Sequence, residues 1–178
     1  MSSKVIYPPH GSIEKPRIVF LAGPIQGAPD WQSKAIELLS DTGAVIANPR
    51  APAPFHGDYN GQVDWELKYL SHAAYGKPSS GVILFWLAKP DPNEVQPPGR
   101  SYAQTSRFEL GEWVGRSKGW TVPYFVLGIE PGFSNERYLR RRIGHLWPDI
   151  EIPSTLEGTV ALAKMHLSGE LERRVNLR

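Results

Sequence analysis

Apolar residues in this chain fall in short blocks separated by amphipathic stretches. The block Arg17-Ile-Val-Phe-Leu-Ala22 stops at Gly23-Pro24 and reads as a buried strand ended by a turn. Asp30 to Ser40 has helical spacing, with Trp31, Ala35, Leu38 and Leu39 on one face and Asp30 placed as N-cap. Gly43 closes that helix, and Ala44 to Ala47 predicts a second strand. Helical spacing returns over Val63 to Ala74, where Val63, Leu67, Leu70 and Ala74 share a face. Gly81 to Leu87 is apolar throughout, as in a strand buried on both faces. A helix containing Glu109 runs to about Lys118, and Val122 to Leu127 predicts the fourth strand. A short basic helix follows over Asn135 to Ile143, then a weak fifth strand at Ile150-Glu-Ile152. Ser154 caps a last helix that reaches about Leu171.

This alternation predicts an α/β fold: a three-layer sandwich with a five-stranded, mostly parallel sheet and helices on both faces. Residues 1–15 read as a flexible arm and residues 16–178 as a single domain, which a length of 178 residues suits. In open parallel sheets the ligand lies beyond the carboxyl ends of the strands, where the strand order switches. Gly23-Pro24, Asn48-Pro49-Arg50, the loop Lys89 to Tyr102 and Glu109 all follow predicted strands, so all are expected at that edge. The loops over 49–61 and 89–102 are long for a compact domain, which favours functional loops over plain connections.

Composition narrows the function by exclusion. A net charge of +2 gives no global field that demands nucleic acid or an anionic membrane. The absence of cysteine excludes disulfides, thiol nucleophiles and thiolate metal sites. The longest apolar run, Val82 to Ala88, is too short to span a bilayer, and Pro8, Pro9 and Gly11 stand where a signal segment would be apolar. The chain therefore reads as soluble and cytoplasmic, with no membrane and no nucleic-acid partner. The five histidines lack the spacing of a metal site, and no G-x-S-x-G elbow of an α/β-hydrolase occurs.

The candidate chemistry centres on Thr105-Ser-Arg-Phe-Glu-Leu-Gly111. A small polar stretch opens a helix there, and Glu109 sits between Phe108 and Leu110. A carboxylate beside two large apolar residues is better placed to face a pocket than to be fully solvated, and can act as a nucleophile on a sugar carbon. The alternative is a first-turn glutamate that only favours the helix dipole. Gly23-Pro24-Ile25-Gln26-Gly27 lets backbone approach a ligand, or is merely a tight turn. It lacks the dinucleotide and Walker patterns. In Gln62-Val-Asp-Trp-Glu66 the two carboxylates, Asp64 and Glu66, point in different directions, so one reaches the pocket and the other is solvated. Arg50 and Arg107 are candidate anion or base contacts, with surface ion pairing as the plain alternative. The basic cluster Arg137, Arg140, Arg141, Arg142 and His145 lacks interleaved aromatics and reads as a solvated or inter-subunit face.

Taken together, Phe20 to Ile25, Trp31, Asn48-Pro49-Arg50, Gln62 to Glu66 and Thr105 to Gly111 resemble the nucleoside 2-deoxyribosyltransferase family, over roughly residues 17 to 127. The resemblance is to its branch with an L-A-G-x-I start and an N-P-R loop. It implies a flavodoxin-like fold and cleavage of the N-glycosidic bond of a 2'-deoxynucleoside. Glu109 falls on the family's nucleophile, which attacks C1' and forms a glycosyl–enzyme intermediate before the sugar passes to another base. Glu66 falls near its acid toward the leaving base. Gly23, Pro24 and Ile25 fall on the sugar-side loop, and Asn48, Arg50, Asp64, Thr105, Ser106 and Arg107 are carried over as substrate contacts. Phe20 replaces a tyrosine found in relatives, Ala74 stands where an acidic residue is often found, and the stretch before Thr105 lacks an expected aspartate.

The resemblance also implies that no cofactor or metal is required. The partners would be a small-molecule nucleoside or nucleotide and a free base, and a neighbouring subunit of a homodimer or higher homo-oligomer would complete the pocket. Two alternatives remain: a nucleoside 5'-monophosphate N-glycosidase in which water replaces the acceptor base, and a nucleotide-binding module without turnover.

Overall fold

The computed structural model describes residues 2–11, 17–52, 58–75, 81–95, 98–120, 122–171 and 173. Its elements are β1 (Lys4–Ile6), β2 (Ile18–Ala22), α1 (Trp31–Leu39), β3 (Val45–Ala47) and α2 (Tyr59–Tyr75). They are followed by β4 (Gly81–Leu87), α3 (Gln104–Arg116), β5 (Phe125–Ile129), α4 (Glu136–Leu146) and α5 (Leu156–Leu167). The five strands form one sheet in the order β1-β3-β2-β4-β5, every neighbouring pair parallel. The three-layer, flavodoxin-like α/β expectation holds.

Two apolar cores sit on the two sheet faces, and the period of two along each strand divides residues between them. Ile18, Phe20 and Ala22 with Ile83, Phe85 and Leu87 face one core, which Trp65, Tyr69, Leu110 and Trp113 of α2 and α3 complete. Val19, Leu21, Val82, Leu84 and Trp86 face the other, filled by Trp31, Ala35 and Leu39 of α1 and by Val160 and Ala163 of α5. Each large side chain buried this way contributes about 1.5–3 kcal/mol of transfer free energy. β2 and β4 are consequently apolar on both faces and rigid, and their carboxyl ends are a firm base for loops.

Five expectations need correction. The supposed arm supplies β1: Lys4, Val5 and Ile6 pair in register with Val45, Ile46 and Ala47, and Ile6 is buried. A three-residue edge strand is too short to show a period, so sequence spacing missed it. Ile150-Glu-Ile152, the expected fifth strand, is not one. The adjacent Pro153 carbonyl accepts from Ile129 N–H at 3.0 Å, and the Ile152 carbonyl accepts from Arg140, so a side chain takes the place of a ladder.

The buried face of α2 is also rotated from the expected one. Trp65, Tyr69, Leu70, Ala73 and Ala74 are inside, whereas Val63 and Leu67 are 41% and 50% exposed. Trp65 packs on Tyr69 with ring centroids 4.7 Å apart and on Phe20 at 6.1 Å, and its indole N–H donates to the His10 carbonyl at 2.9 Å. The two aromatics offer more area than Val63 and Leu67, so they win the core. The fourth expected strand begins three residues later, at Phe125, because Pro123 has no N–H for the ladder. Finally, Thr155 rather than Ser154 caps α5, accepting from Gly158 N–H at 3.2 Å, while the Ser154 hydroxyl accepts from Arg140. Asp30 caps α1 as expected, through Ser33 N–H at 3.2 Å.

Candidate active site

β2 lies between β3 on one side and β4 on the other, so the chain leaves its carboxyl end in one direction and returns in the other. A cavity of about 810 Å³ opens at that switch. Its walls come from the turn after β2, the loops after β3 and β4, and the first halves of α2 and α3. Residues 53–57 and 96–97 of the two long loops lie outside the described residues.

Gly23, Pro24 and Ile25 line the cavity as expected. Gly23 adopts φ +151°, and a Cβ there would collide with the Trp86 carbonyl and come within 2.9 Å of the Trp31 ring. Only glycine fits that close approach. The Trp31 indole N–H then donates to the Pro24 carbonyl at 2.9 Å, pinning the turn to α1.

Arg50 lines the cavity too, but its guanidinium is spent on the protein. Nε donates to Gln32 Oε1 at 2.9 Å, and Nη2 donates to the carbonyls of Ile25, Ala28 and Pro29 at 2.9, 3.2 and 3.1 Å. Asp30 adds an ion pair at 3.7 Å. The fork therefore ties the loop after β3 to the loop after β2. Asn48 is buried outside the cavity wall, where its Oδ1 accepts from Arg50 N–H at 3.0 Å. That hydrogen bond holds the turn after β3.

Asp64 and Arg107 also lie outside the cavity wall. Asp64 is exposed and not part of the cavity wall, because it lies on the opposite side of α2 from Gln62 and Glu66. Arg107 turns away from the cavity to stack 4.7 Å over the Phe133 ring and to donate to the Ser134 carbonyl and hydroxyl. Thr105 and Ser106 do line the cavity, at the start of α3. That start has no side-chain cap: Ala103 holds the position in the left-handed region at φ 56°.

Glu66 and Glu109 enter the cavity from different helices. Burial pushes the Glu109 carboxyl up to about 8, and the nearby charges of Glu66 and Glu112 add to the rise. Burial also raises Glu66, partly offset by the hydrogen bond its Oε1 accepts from Gln62 Nε2 at 3.0 Å. Each of these carboxyls therefore holds its proton more tightly than a solvated glutamate does. Among the described residues no group of three or more His, Asp or Glu side chains is placed to hold a metal ion.

The family model for nucleoside 2-deoxyribosyltransferase-like proteins matches residues 16–122, more than half of the chain. The chain belongs to this family. The matched span contains β2 to α3, and so every cavity-wall element named above. No individual curated protein matches significantly.

Membership in the deoxyribosyltransferase-like family does not by itself reveal which side chains share the wall. Sequence spacing missed Tyr59, Gln62, Val63 and Arg100. Gln62 was legible in principle, since a glutamine four residues before a glutamate on a helix is placed to hydrogen-bond it. Tyr59 was not, because the predicted α2 began a turn too late. No helix among the described residues is long and apolar enough to cross a membrane.

Proposed function

We propose that the cavity binds a 2'-deoxynucleoside and breaks its N-glycosidic bond, passing the deoxyribosyl group to another base. The observation that carries this reading is the meeting of Glu66 and Glu109 from separate helices in one cavity, both carboxyls raised by burial. An ionised Glu109 attacks C1' as the bond to the base breaks, and the oxocarbenium-like transition state is stabilised by that carboxylate. One proton sits on Glu66 at this stage and goes to the departing base. The glycosyl ester on Glu109 is then opened by an incoming base, whose proton returns to Glu66. Gly23 to Ile25 provide backbone close to the sugar.

A second reading, a 5'-monophosphate as substrate and water as acceptor, draws support from the start of α3. No side chain caps that helix, and Arg100 lies in the same wall with its guanidinium 3.3 Å from Gln26 Oε1. A helix N-terminus and a guanidinium both favour an anion.

Incubating the protein with deoxynucleosides and their 5'-monophosphates, with and without a free base, and separating the products by chromatography distinguishes the readings. Exchange of bases on the unphosphorylated sugar is expected. Replacing Glu109 by Ala should cost on the order of 10⁴ in rate, about 5 kcal/mol of transition-state stabilisation, with the fold intact. Near wild-type turnover by that variant overturns the assignment.

A further inference from the structure

Among the described residues, three exposed apolar side chains belong to the wall of the same cavity. Tyr59 and Val63, one turn apart on α2, are 71% and 41% exposed, and Phe108 on α3 is 74% exposed. They are not spare core, because α2 already fills its buried face with Trp65, Tyr69 and Leu70. Leu67 continues the stripe for another turn and is 50% exposed, yet it is outside the cavity wall.

The polar groups of this part of the wall are few and lie beside the stripe. Gln62 and Glu66 project from the neighbouring line of α2, and Phe108 directly precedes Glu109. An occupant that suits this wall has broad apolar faces and a polar edge. A purine or pyrimidine ring is such an object: aromatic side chains stack on its faces, and a carboxyl with an amide reads its edge. Phe108 and Glu109 both line this cavity, so a base on this platform shares it with that carboxylate.

We propose that Tyr59, Val63 and Phe108 form the platform on which the nucleobase lies, with Gln62 and Glu66 at its edge. This rests on the cavity being a nucleoside site. Because most of the contact is to base faces, which purines and pyrimidines share, the platform accepts both.

Calorimetric titration of the full-length Glu109→Gln protein with 2'-deoxyadenosine and with thymidine tests it without turnover. Adding Tyr59→Leu or Phe108→Leu should each raise Kd on the order of tenfold for both ligands. Tyr59→Phe and Phe108→Tyr should restore affinity to within about twofold, since they keep a ring to stack. Leu67→Ala should leave Kd and solution mass unchanged. If the leucine variants bind as tightly as their parent while the wild type exchanges bases, the platform is wrong and the nucleoside reading stands. If Leu67→Ala loses as much affinity and the mass falls, the stripe is a protein interface instead. No binding by the parent and no turnover by the wild type overturn both.

Discussion

Glu109 holds its proton more tightly than a solvated glutamate, because its carboxyl is partly removed from water and faces Glu66 and Glu112. A nucleophile must be ionised, whereas an acid toward the leaving base must be protonated. In the proposed reaction one proton on the Glu66–Glu109 pair meets both needs, provided substrate binding leaves it on Glu66. The singly protonated pair is then the active form. We expect kcat/KM to be bell-shaped in pH, with its alkaline limb falling through about 8, where the last proton leaves. Glu66→Gln removes both the acid and the repulsion. It should slow bases that need a proton to depart, and turn the bell into a curve that rises with pH to a plateau, with a midpoint below about 8. Asp64→Asn should stay within about twofold of wild type, as expected for an exposed side chain. A pH–rate series on the three proteins checks this, and reversed effects of the two substitutions would mean that Asp64 is the acid.

At the scale of elements, the floor of the site is held by connections between loops rather than by the strands alone. Arg50 collects three carbonyls of the loop after β2 and the amide oxygen of Gln32, and its own backbone N–H is held by Asn48. An ammonium has no planar fork, so Arg50→Lys strands several of these acceptors in a partly buried setting. We expect a loss of about 1–3 kcal/mol in urea denaturation, together with a raised KM as the Gly23 to Ile25 turn loosens. The Asp30 ion pair adds little, because that carboxylate is half exposed. Wild-type stability and KM in Arg50→Lys would show that the loops hold themselves. Element positions themselves were mostly legible: β2, α1 and β4 follow from uninterrupted apolar blocks and a capped amphipathic stretch. β1 was not, since three residues carry no period. The rotation of α2 was not, since Val63–Leu67 and Trp65–Tyr69 are both acceptable one-turn pairs.

For the whole molecule, the raised Glu109 carboxyl is a standing cost to folding. The folded chain binds that proton more tightly than the unfolded chain does. Its contribution is therefore fully present below the ordinary value of 4.5 and declines as pH rises, with the loss complete once pH passes about 8. Glu109→Gln should be more stable than wild type at alkaline pH, on the order of a few kcal/mol, and nearly equal at pH 4. Thermal melts across that range check the sign, and a wild type that gains on Glu109→Gln with rising pH contradicts it. Self-association, which the family resemblance implies, is also expected. Light scattering at micromolar concentration should give at least twice 19.9 kDa, and a fully active species of 19.9 kDa refutes it.

The residue pattern was enough for the parallel α/β sandwich and for the edge of the sheet at which the cavity opens, and it singled out Glu109 and Glu66, both of which line that cavity. Those conclusions follow from local patterns: apolar blocks long enough to be strands, turns after them, and short motifs around each carboxylate. Tertiary structure alone decided that Arg50 clamps loops, that Arg107 leaves for Phe133, that Asn48 serves a turn, and that Tyr59 and Phe108 stand open beside the carboxyls. Each of these depends on which partner lies within hydrogen-bonding or stacking reach across the fold. A guanidinium or an aromatic ring suits several partners equally well, and only packing chooses among them.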